Sequence, residues 1–307
     1  MKKYQYLLEK IQNEEFQDKP FKHLYIENFF NKEDFNEIIN SPQIKLKNCF
    51  SDNELFNELT KSGYGIISFP GTTDNFREYE NWHKNKKRNN LVSSATDSFG
   101  IVFRMESPDE ILKDLFNFIG SEEFNATLAE KFNIPINNCT YDNGIQKYLD
   151  GYEISPHPDI RRKALTFMVN INPNYSKQDY NTHYLRFKEE FKYVQSFWEG
   201  NPDIDRCWVP WSWCESIKTQ SVNNSIVVFS PSNDTIHAVK ANYDHLNSQR
   251  TQLYGNIWYN ENSPTVKPEW EEFDIINNIR PRNKNILRKI KNKLFRNEVL
   301  NRNLKGY

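Results

Sequence analysis

Apolar positions change their spacing part-way along the chain. In "YQYLLEKIQ" (4–12) and "NKEDFNEIIN" (31–40) they recur at helical intervals, and between them "FKHLYIENFF" (21–30) reads as a strand. "SPDEILKDLFNFIG" (107–120) predicts a helix opened by a capping box of Ser107 and Glu110. Pro108 takes its first position and Gly120 ends it. "SEEFNATLAEKFN" (121–133) predicts another helix. Beyond about residue 135 the apolar runs shorten and fill with β-branched and aromatic residues. "GIQKYL", "ALTFMVNI", "THYLRF", "SIVVFS", "TIHAVKA" and "TQLYGNIWY" follow one another, separated by Asn, Pro, Ser and Asp. Serial short strands without intervening helices predict an antiparallel sandwich or barrel. The division expected is a helix-and-strand support over 1–135, a β core over 136–262 and a basic extension over 263–307.

That extension contains "NILRKIKNKLF", with apolar residues near helical spacing, and ten Lys/Arg against one Glu from Arg280 to Tyr307. It reads as a solvated amphipathic helix, with contact to an anionic surface as the sharper alternative. "KNKKRNN" (84–90) reads as a solvated loop. Composition narrows the class further. Aromatics are 15% of the 307 residues, enough to build a core although charged residues are 26%. A net charge of −1 argues against general nucleic-acid binding. The start has no apolar signal core, and no apolar run approaches the length of a membrane span. Cys49, Cys139, Cys207 and Cys214 form no CxxC pair, so neither a zinc knuckle nor a disulfide framework is expected. The expectation is a cytoplasmic protein.

The candidate chemistry lies in "YLDGYEISPHPDI" (148–160). If His157 and Asp159 share a strand, i and i+2 point the same way and offer two ligands to one ion. His237, after the apolar run "SIVVFS" and a turn, can close the set from a second strand. Two His and one carboxylate on one face leave three positions of an octahedral iron open. Arg250 opens the next strand, and its guanidinium suits a carboxylate at the floor of a pocket. His245 is a rival for the distal ligand, but "LNSQ" around it reads as a turn. His183 is expected at the rim or in solvent. His23 and His83 lie far from the barrel strands and are expected to be structural or exposed.

The order HxD, distal His, Arg resembles the Fe(II)/2-oxoglutarate-dependent dioxygenases, and within them the prolyl 4-hydroxylase-like branch. Tyr148, Gly151, Pro156, His157 and Asp159 match that branch's approach to its first ligand, and "ALTFMVNINPNY" is similar to its following strand. "FKHLYIENFFNKEDFNEII" resembles its strand–helix opening. The likeness covers roughly Phe21–Asn40 and Asp142–Asn260, about half the chain. It departs where "NTHYLRF" stands in place of a Gly-Gly-x-Leu, and in using Arg where some relatives use Lys.

The resemblance implies a mainly β fold with flanking helices around a double-stranded β-helix, an eight-stranded jelly roll. It implies that His157, Asp159 and His237 hold Fe(II), and that 2-oxoglutarate chelates the metal while its far carboxylate pairs with Arg250. Tyr148 and Thr166 would be further cosubstrate contacts, and Lys240 is the next basic candidate should Arg250 face solvent. Dioxygen is the second cosubstrate, and the outcome is hydroxylation of an unactivated C–H bond, with 2-oxoglutarate leaving as succinate and carbon dioxide. The substrate, a small molecule or peptide, is open between peptidyl proline, a saccharide and an amino-acid-like metabolite. A zinc or cupin-type metalloenzyme and a non-catalytic jelly-roll binding module remain as alternatives. Trp198, Trp208, Trp211 and Trp213 crowd residues 180–213, and that segment is expected to contribute to the substrate wall, with at least one of the last three at the mouth.

Overall fold

The computed structural model describes residues 3–69, 72–85, 99–174 and 180–261, where the expected helices and strands are joined by further helices at 52–61, 76–85 and 193–200 and further strands at 64–67, 102–105 and 214–220. The first part runs α1 (Tyr6–Asn13), β1 (Leu24–Glu27), α2 (Lys32–Asn40), α3 (Asp52–Lys61), β2 (Tyr64–Ile67), α4 (Phe76–Asn85), β3 (Val102–Met105), α5 (Glu110–Ile119) and α6 (Glu122–Lys131). Then come β4 (Cys139–Tyr148), β5 (Glu153–His157), β6 (Lys163–Asn170), β7 (Thr182–Phe187), α7 (Tyr193–Gly200), β8 (Cys214–Gln220), β9 (Ser225–Phe229), β10 (His237–Lys240) and β11 (Arg250–Tyr259). The expected basic helix of 263–307 and most of the 84–90 loop lie outside the described residues. Among the described residues no helix is long and apolar enough to cross a membrane.

Helix starts follow capping chemistry, with one correction. Asn31, Ser51 and Ser121 each accept a backbone N–H from the first turn of their helix. For α5 the cap is Asp109, not Ser107: its Oδ1 accepts Leu112 N–H at 2.9 Å. The register moves by two because Asp109 is held at both ends. Its N–H donates to Gln43 Oε1 and its Oδ2 accepts the Ser41 hydroxyl, so a cap at Ser107 would forfeit both tertiary bonds.

The last eight strands form a jelly roll. β4 pairs with β11, β5 with β10, β6 with β9 and β7 with β8, all antiparallel. First with last, second with next-to-last: this is one long hairpin wound around an axis. Winding deals the strands into two sheets, β9-β6-β11-β4 and β5-β10-β7-β8. The earlier strands extend the larger sheet to seven, β1 beside β9 at one edge and β3 then β2 beside β4 at the other.

Alternation gives the larger sheet two unlike faces. One face offers Ile145, Leu165, Phe167, Val169, Ile226, Val228, Leu253 and Ile257 to the apolar sides of α1, α5 and α6 in the main core. The other looks into the barrel and carries Gln146, Tyr148, Thr166, Asn170, Arg250, Gln252 and Asn256, all buried. Register confirms the shared face, since Arg250 lies opposite Tyr148, Gln252 opposite Gln146 and Asn170, and Asn256 opposite Thr166. Buried polar groups need partners or ligands, so this lining makes the barrel interior the candidate place for a ligand.

Between β4 and β5 the chain reverses tightly. Tyr152 N–H returns to the Leu149 carbonyl at 3.1 Å, and Gly151 takes φ +78°, the geometry of a type II turn. A Cβ on Gly151 would also fall 2.1 Å from the Trp82 ring. Glycine is therefore fixed twice, by backbone and by packing.

Lys147 points the opposite way from Tyr148, into the helix-covered side, and is fully buried. Its amine donates to the Ile44 carbonyl at 2.7 Å and the Thr251 hydroxyl at 2.9 Å, both uncharged acceptors. Burial pushes its pKa down from 10.5 to about 7. A depressed folded pKa means that the unfolded chain binds more protons between those values. The contribution to stability is fully present above 10.5 and is lost as pH falls through about 7. Lys147→Met is expected to remove a slope of up to about 1.4 kcal/mol per pH unit over that window, read from urea midpoints at several pH values. An unchanged slope in the variant would mean that Lys147 is charged in the fold.

Candidate metal centre

Three side chains meet where the two sheets come together at the barrel mouth. His157 ends β5 and His237 begins β10, directly opposite in register, with ring centroids 4.3 Å apart. Asp159 is not on the strand, contrary to the simple i, i+2 reading. β5 stops at His157, Pro158 offers no N–H to continue the ladder, and Asp159 takes φ +62°. Asp tolerates the left-handed region better than most residues, and that turn swings the carboxylate back between the two rings. Asp159 Oδ1 lies 3.5 Å from His157 Nε2, and Oδ2 lies 3.9 Å from His237 Nε2. With bonds of about 2.1 Å, cis ligands of one ion stand about 3.0 Å apart and trans ligands about 4.2 Å. The observed spacings fall between.

The protonation of the site also suits a cation. His157 Nδ1 lies 2.9 Å from the Ser155 carbonyl, and His237 Nδ1 lies 3.1 Å from the Thr235 carbonyl. A carbonyl can only accept, so each Nδ1 carries a hydrogen, the tautomer that leaves Nε2 as the nitrogen able to take an ion. Burial, reinforced by His157, pushes His237 down to about 3 against the pull of Asp159, so its ring is neutral at ordinary pH. Burial alone would raise the Asp159 carboxyl. The Lys163 ammonium, followed by the two histidines, outweighs it and holds the carboxyl well below the usual carboxylate range. Lys163 Nζ contacts Oδ1 at 3.0 Å and Thr166 Oγ1 donates to Oδ2 at 2.9 Å, fixing both oxygens. Two imidazole nitrogens and one carboxylate are a donor set that fits Fe(II) among first-row ions and leaves coordination positions open.

Arg250 lies inside the same barrel, 2% exposed, with its guanidinium 4.5 Å over the Tyr148 ring. Nη2 donates to Thr182 Oγ1 at 2.9 Å, whereas Nη1 is buried with no acceptor. A buried cation with an orphaned donor is costly, and a carboxylate is the kind of group that would complete it. Gln146, with its amide oxygen turned to the Arg104 guanidinium, donates to the Tyr148 hydroxyl at 2.6 Å, which leaves the phenol's own hydrogen for a further acceptor. Of the expected cosubstrate contacts, Tyr148 is therefore placed against Arg250, while the Thr166 hydroxyl is spent on Asp159. Lys240 is exposed and lies 3.6 Å from Glu153.

A second cluster has the same composition. Among the described residues, Asp52, His83 and His245 also bring ligand atoms within 4.8 Å of one another. Its protonation is different. His245 Nδ1 accepts Asp150 N–H at 3.2 Å, so the hydrogen sits on Nε2 and donates to Asp52 Oδ1 at 2.9 Å. The nitrogen that would face an ion is the one that carries a proton. This cluster is a hydrogen-bonded strut joining α3, α4 and the loop before β11. Of the remaining histidines, His23 is buried, stacked on Tyr184 with ring centroids 6.2 Å apart, and His183 faces Trp211 on the outside of the smaller sheet.

The insertion between β7 and β8 serves two ends. Trp198 is buried, and Trp211 and Trp213 pack beside it with Leu185, Phe187 and Ala238 on the outer face of the smaller sheet. Trp208 instead stands 36% exposed with its ring 6.5 Å from that of His157. Sequence reasoning did not find Lys163 or Arg206, whose Nε donates to the Asp159 carbonyl at 3.0 Å. The four-residue step from Asp159 to Lys163 was the available signal for the first; nothing in the sequence marked the second.

No family model matches the chain, and no curated protein matches it. Solved structures that are similar to it are prolyl 4-hydroxylases and 2OG-Fe(II) oxygenases, across most of the chain and at low identity. A Pseudomonas putida prolyl-4-hydroxylase is 8% identical, with 83% of this chain and 98% of that chain covered at a TM-score of 0.40. A 2OG-Fe(II) oxygenase family oxidoreductase from Burkholderia pseudomallei is 9% identical over 74% and 100% at 0.32. A Trichoplax adhaerens prolyl hydroxylase, solved with a hypoxia inducible factor peptide, is 12% identical over 68% and 89% at 0.32. The jelly roll itself stands on the strand pairing.

One divalent ion is expected to bind per chain, measured with Mn(II) or Co(II) by calorimetry. Asp159→Ala and His237→Ala should each weaken binding more than about a hundredfold, and Thr166→Val about ten- to a hundredfold. Asp52→Asn should leave the stoichiometry at one. Binding of two ions, or unchanged affinity in Asp159→Ala, would refute the assignment.

Proposed function

We propose that the chain is an Fe(II)- and 2-oxoglutarate-dependent oxygenase that hydroxylates an unactivated C–H bond. One observation carries the reading: a metal-ready His157–Asp159–His237 set and a buried guanidinium lacking an acceptor at Nη1 line one barrel interior. A metal-binding hydrolase has no use for the second, and a binding module has no use for the first.

The residues divide the work. His157, Asp159 and His237 would hold Fe(II), with Thr166 and Lys163 keeping the carboxylate oriented. Arg250 would take the far carboxylate of 2-oxoglutarate, with the Thr182 hydroxyl fixing the guanidinium and the Tyr148 ring supporting its face. When bound, iron and 2-oxoglutarate supply the oxidising chemistry, with dioxygen as the other reactant. The protein's own part is placement and exclusion of water, and Tyr152, Tyr180 and Tyr243, packed with Tyr148, wall the interior near Arg250. No side-chain nucleophile is required, and peptidyl proline has no privileged claim as substrate.

Anaerobic addition of 2-oxoglutarate to the Fe(II) protein is expected to give a weak visible charge-transfer band. Arg250→Met should raise the 2-oxoglutarate needed for half the band by about tenfold or more while leaving Fe(II) affinity unchanged, as loss of a buried charge-assisted pair requires. A protein that binds zinc but develops no band with Fe(II) and 2-oxoglutarate is not this enzyme.

A further inference from the structure

The stretch from Trp198 to Val209 is fastened to the turn that carries Asp159. Arg161 N–H donates to Asp205 Oδ1 at 3.0 Å, and its guanidinium reaches the carbonyls of Ile204, Trp198 and Asn201 at 2.8, 2.7 and 3.3 Å. Val209 N–H donates to the Pro156 carbonyl at 2.9 Å. Arg206 is 7% exposed and spends only Nε, on the Asp159 carbonyl. Among the described residues nothing accepts from its two Nη nitrogens. The charged groups around it are Arg161, Asp159, Asp205 and Asp234, and none of these carboxylates forms an ion pair with it. A strut would need only one hydrogen bond to a carbonyl, which an uncharged donor supplies at lower desolvation cost. A guanidinium held by Nε with its fork left over is set up to receive a second group, and the chemistry that matches the fork is a carboxylate or phosphate.

The surrounding charge points the same way. With Asp159 committed to a divalent ion, the Arg206, Arg161 and Lys163 cations about the ligand turn outnumber the Asp205 and Asp234 carboxylates by one. Two residues beyond Arg206, Trp208 offers a partly exposed ring beside His157. A cation for an anionic group and a flat apolar face thus lie together next to the metal ligands.

We propose that Arg206 and Trp208 form the substrate-recognition edge of the centre, and that the substrate carries a carboxylate or phosphate near a planar or apolar moiety. This rests on the oxygenase reading for the reaction, but the binding of an anion does not. The test uses the full chain with Fe(II) and saturating 2-oxoglutarate under anaerobic conditions, so that Arg250 is occupied. Benzoate, phenyl phosphate and neutral benzamide are titrated, read by tryptophan fluorescence and by the shift of the visible band. At least one of the two anions should bind about tenfold or more tightly than benzamide, and which one does separates carboxylate from phosphate recognition. Arg206→Met, compared with the unsubstituted protein at equal Fe(II) and 2-oxoglutarate occupancy, should erase that preference, and Trp208→Leu should remove the fluorescence response. If Arg206→Met does not fold, Arg206→Lys, which keeps the charge but loses the fork, should weaken the anion by a smaller factor. No preference for either anion over benzamide would overturn the proposal. So would an Arg206 variant that loses Fe(II) or 2-oxoglutarate while anion binding is unchanged. Absence of the visible band with the anion preference intact would instead count against the oxygenase reading alone.

Discussion

The Asp159 carboxylate is the point on which the two sheets and the insertion all bear. Thr166 and Lys163 reach it from β6 in the larger sheet, while His157 and His237 face it from β5 and β10 in the smaller one. Its own carbonyl is taken by Arg206 from the insertion. An isolated buried carboxylate costs several kcal/mol of lost hydration. Here one ammonium and one hydroxyl hold it ionised before any metal arrives, so the site is preformed. The left-handed backbone at Asp159 is the conformational cost, about 1–3 kcal/mol, and it persists because neighbours on every side determine it.

The larger sheet makes such a site compatible with a stable fold. Its outward side chains interlock with α1, α5 and α6 and provide an apolar core, which frees its inward side chains to be polar. A sandwich with both inner faces apolar would gain burial and lose the cavity's chemistry. Gln252, Asn170 and Thr182 show how the polar lining stays satisfied: Gln252 Nε2 donates to Asn170 Oδ1 at 2.8 Å, and Asn170 Nδ2 donates to the Gln220 carbonyl at 3.0 Å. Against that background the orphan on Arg250 Nη1 stands out, because its neighbours are satisfied and it is not.

The legible parts of the sequence were those with a strong local signal. β6 and β9 are nearly continuous apolar runs, β11 is rich in aromatic and β-branched residues, and the HxD segment with its upstream Tyr148 and Gly151 carries visible backbone constraints. β8 was missed because "CESIKTQ" is a polar edge strand, half solvated and buried only at its ends. The capping residue of α5 was misplaced because two tertiary partners, Gln43 and Ser41, chose Asp109 over a locally sound Ser107. Arg206 was unreadable for a like reason. Its place depends on how the insertion folds back over the Asp159 turn, and no periodicity encodes that contact.

The two His–Asp–His groups show why composition and proximity do not by themselves make a metal site. Each brings its atoms within the same distance, yet the partner of the distant ring nitrogen decides the outcome. At His157 and His237 that partner is a carbonyl, which forces the hydrogen away from the pocket. At His245 it is an amide N–H, which forces the hydrogen into it. The second group is still tied to the first site's barrel. Asp150, which supplies that amide, accepts Tyr243 N–H at 3.0 Å, and the Tyr243 hydroxyl accepts Arg250 N–H at 2.9 Å while donating to the Tyr148 carbonyl. Asp52 and His245 therefore fix the strand ends from which Arg250 and Tyr148 enter the barrel. The same two residue types would hold a cation in one place and hold in position, in the other, the guanidinium that would take the cosubstrate.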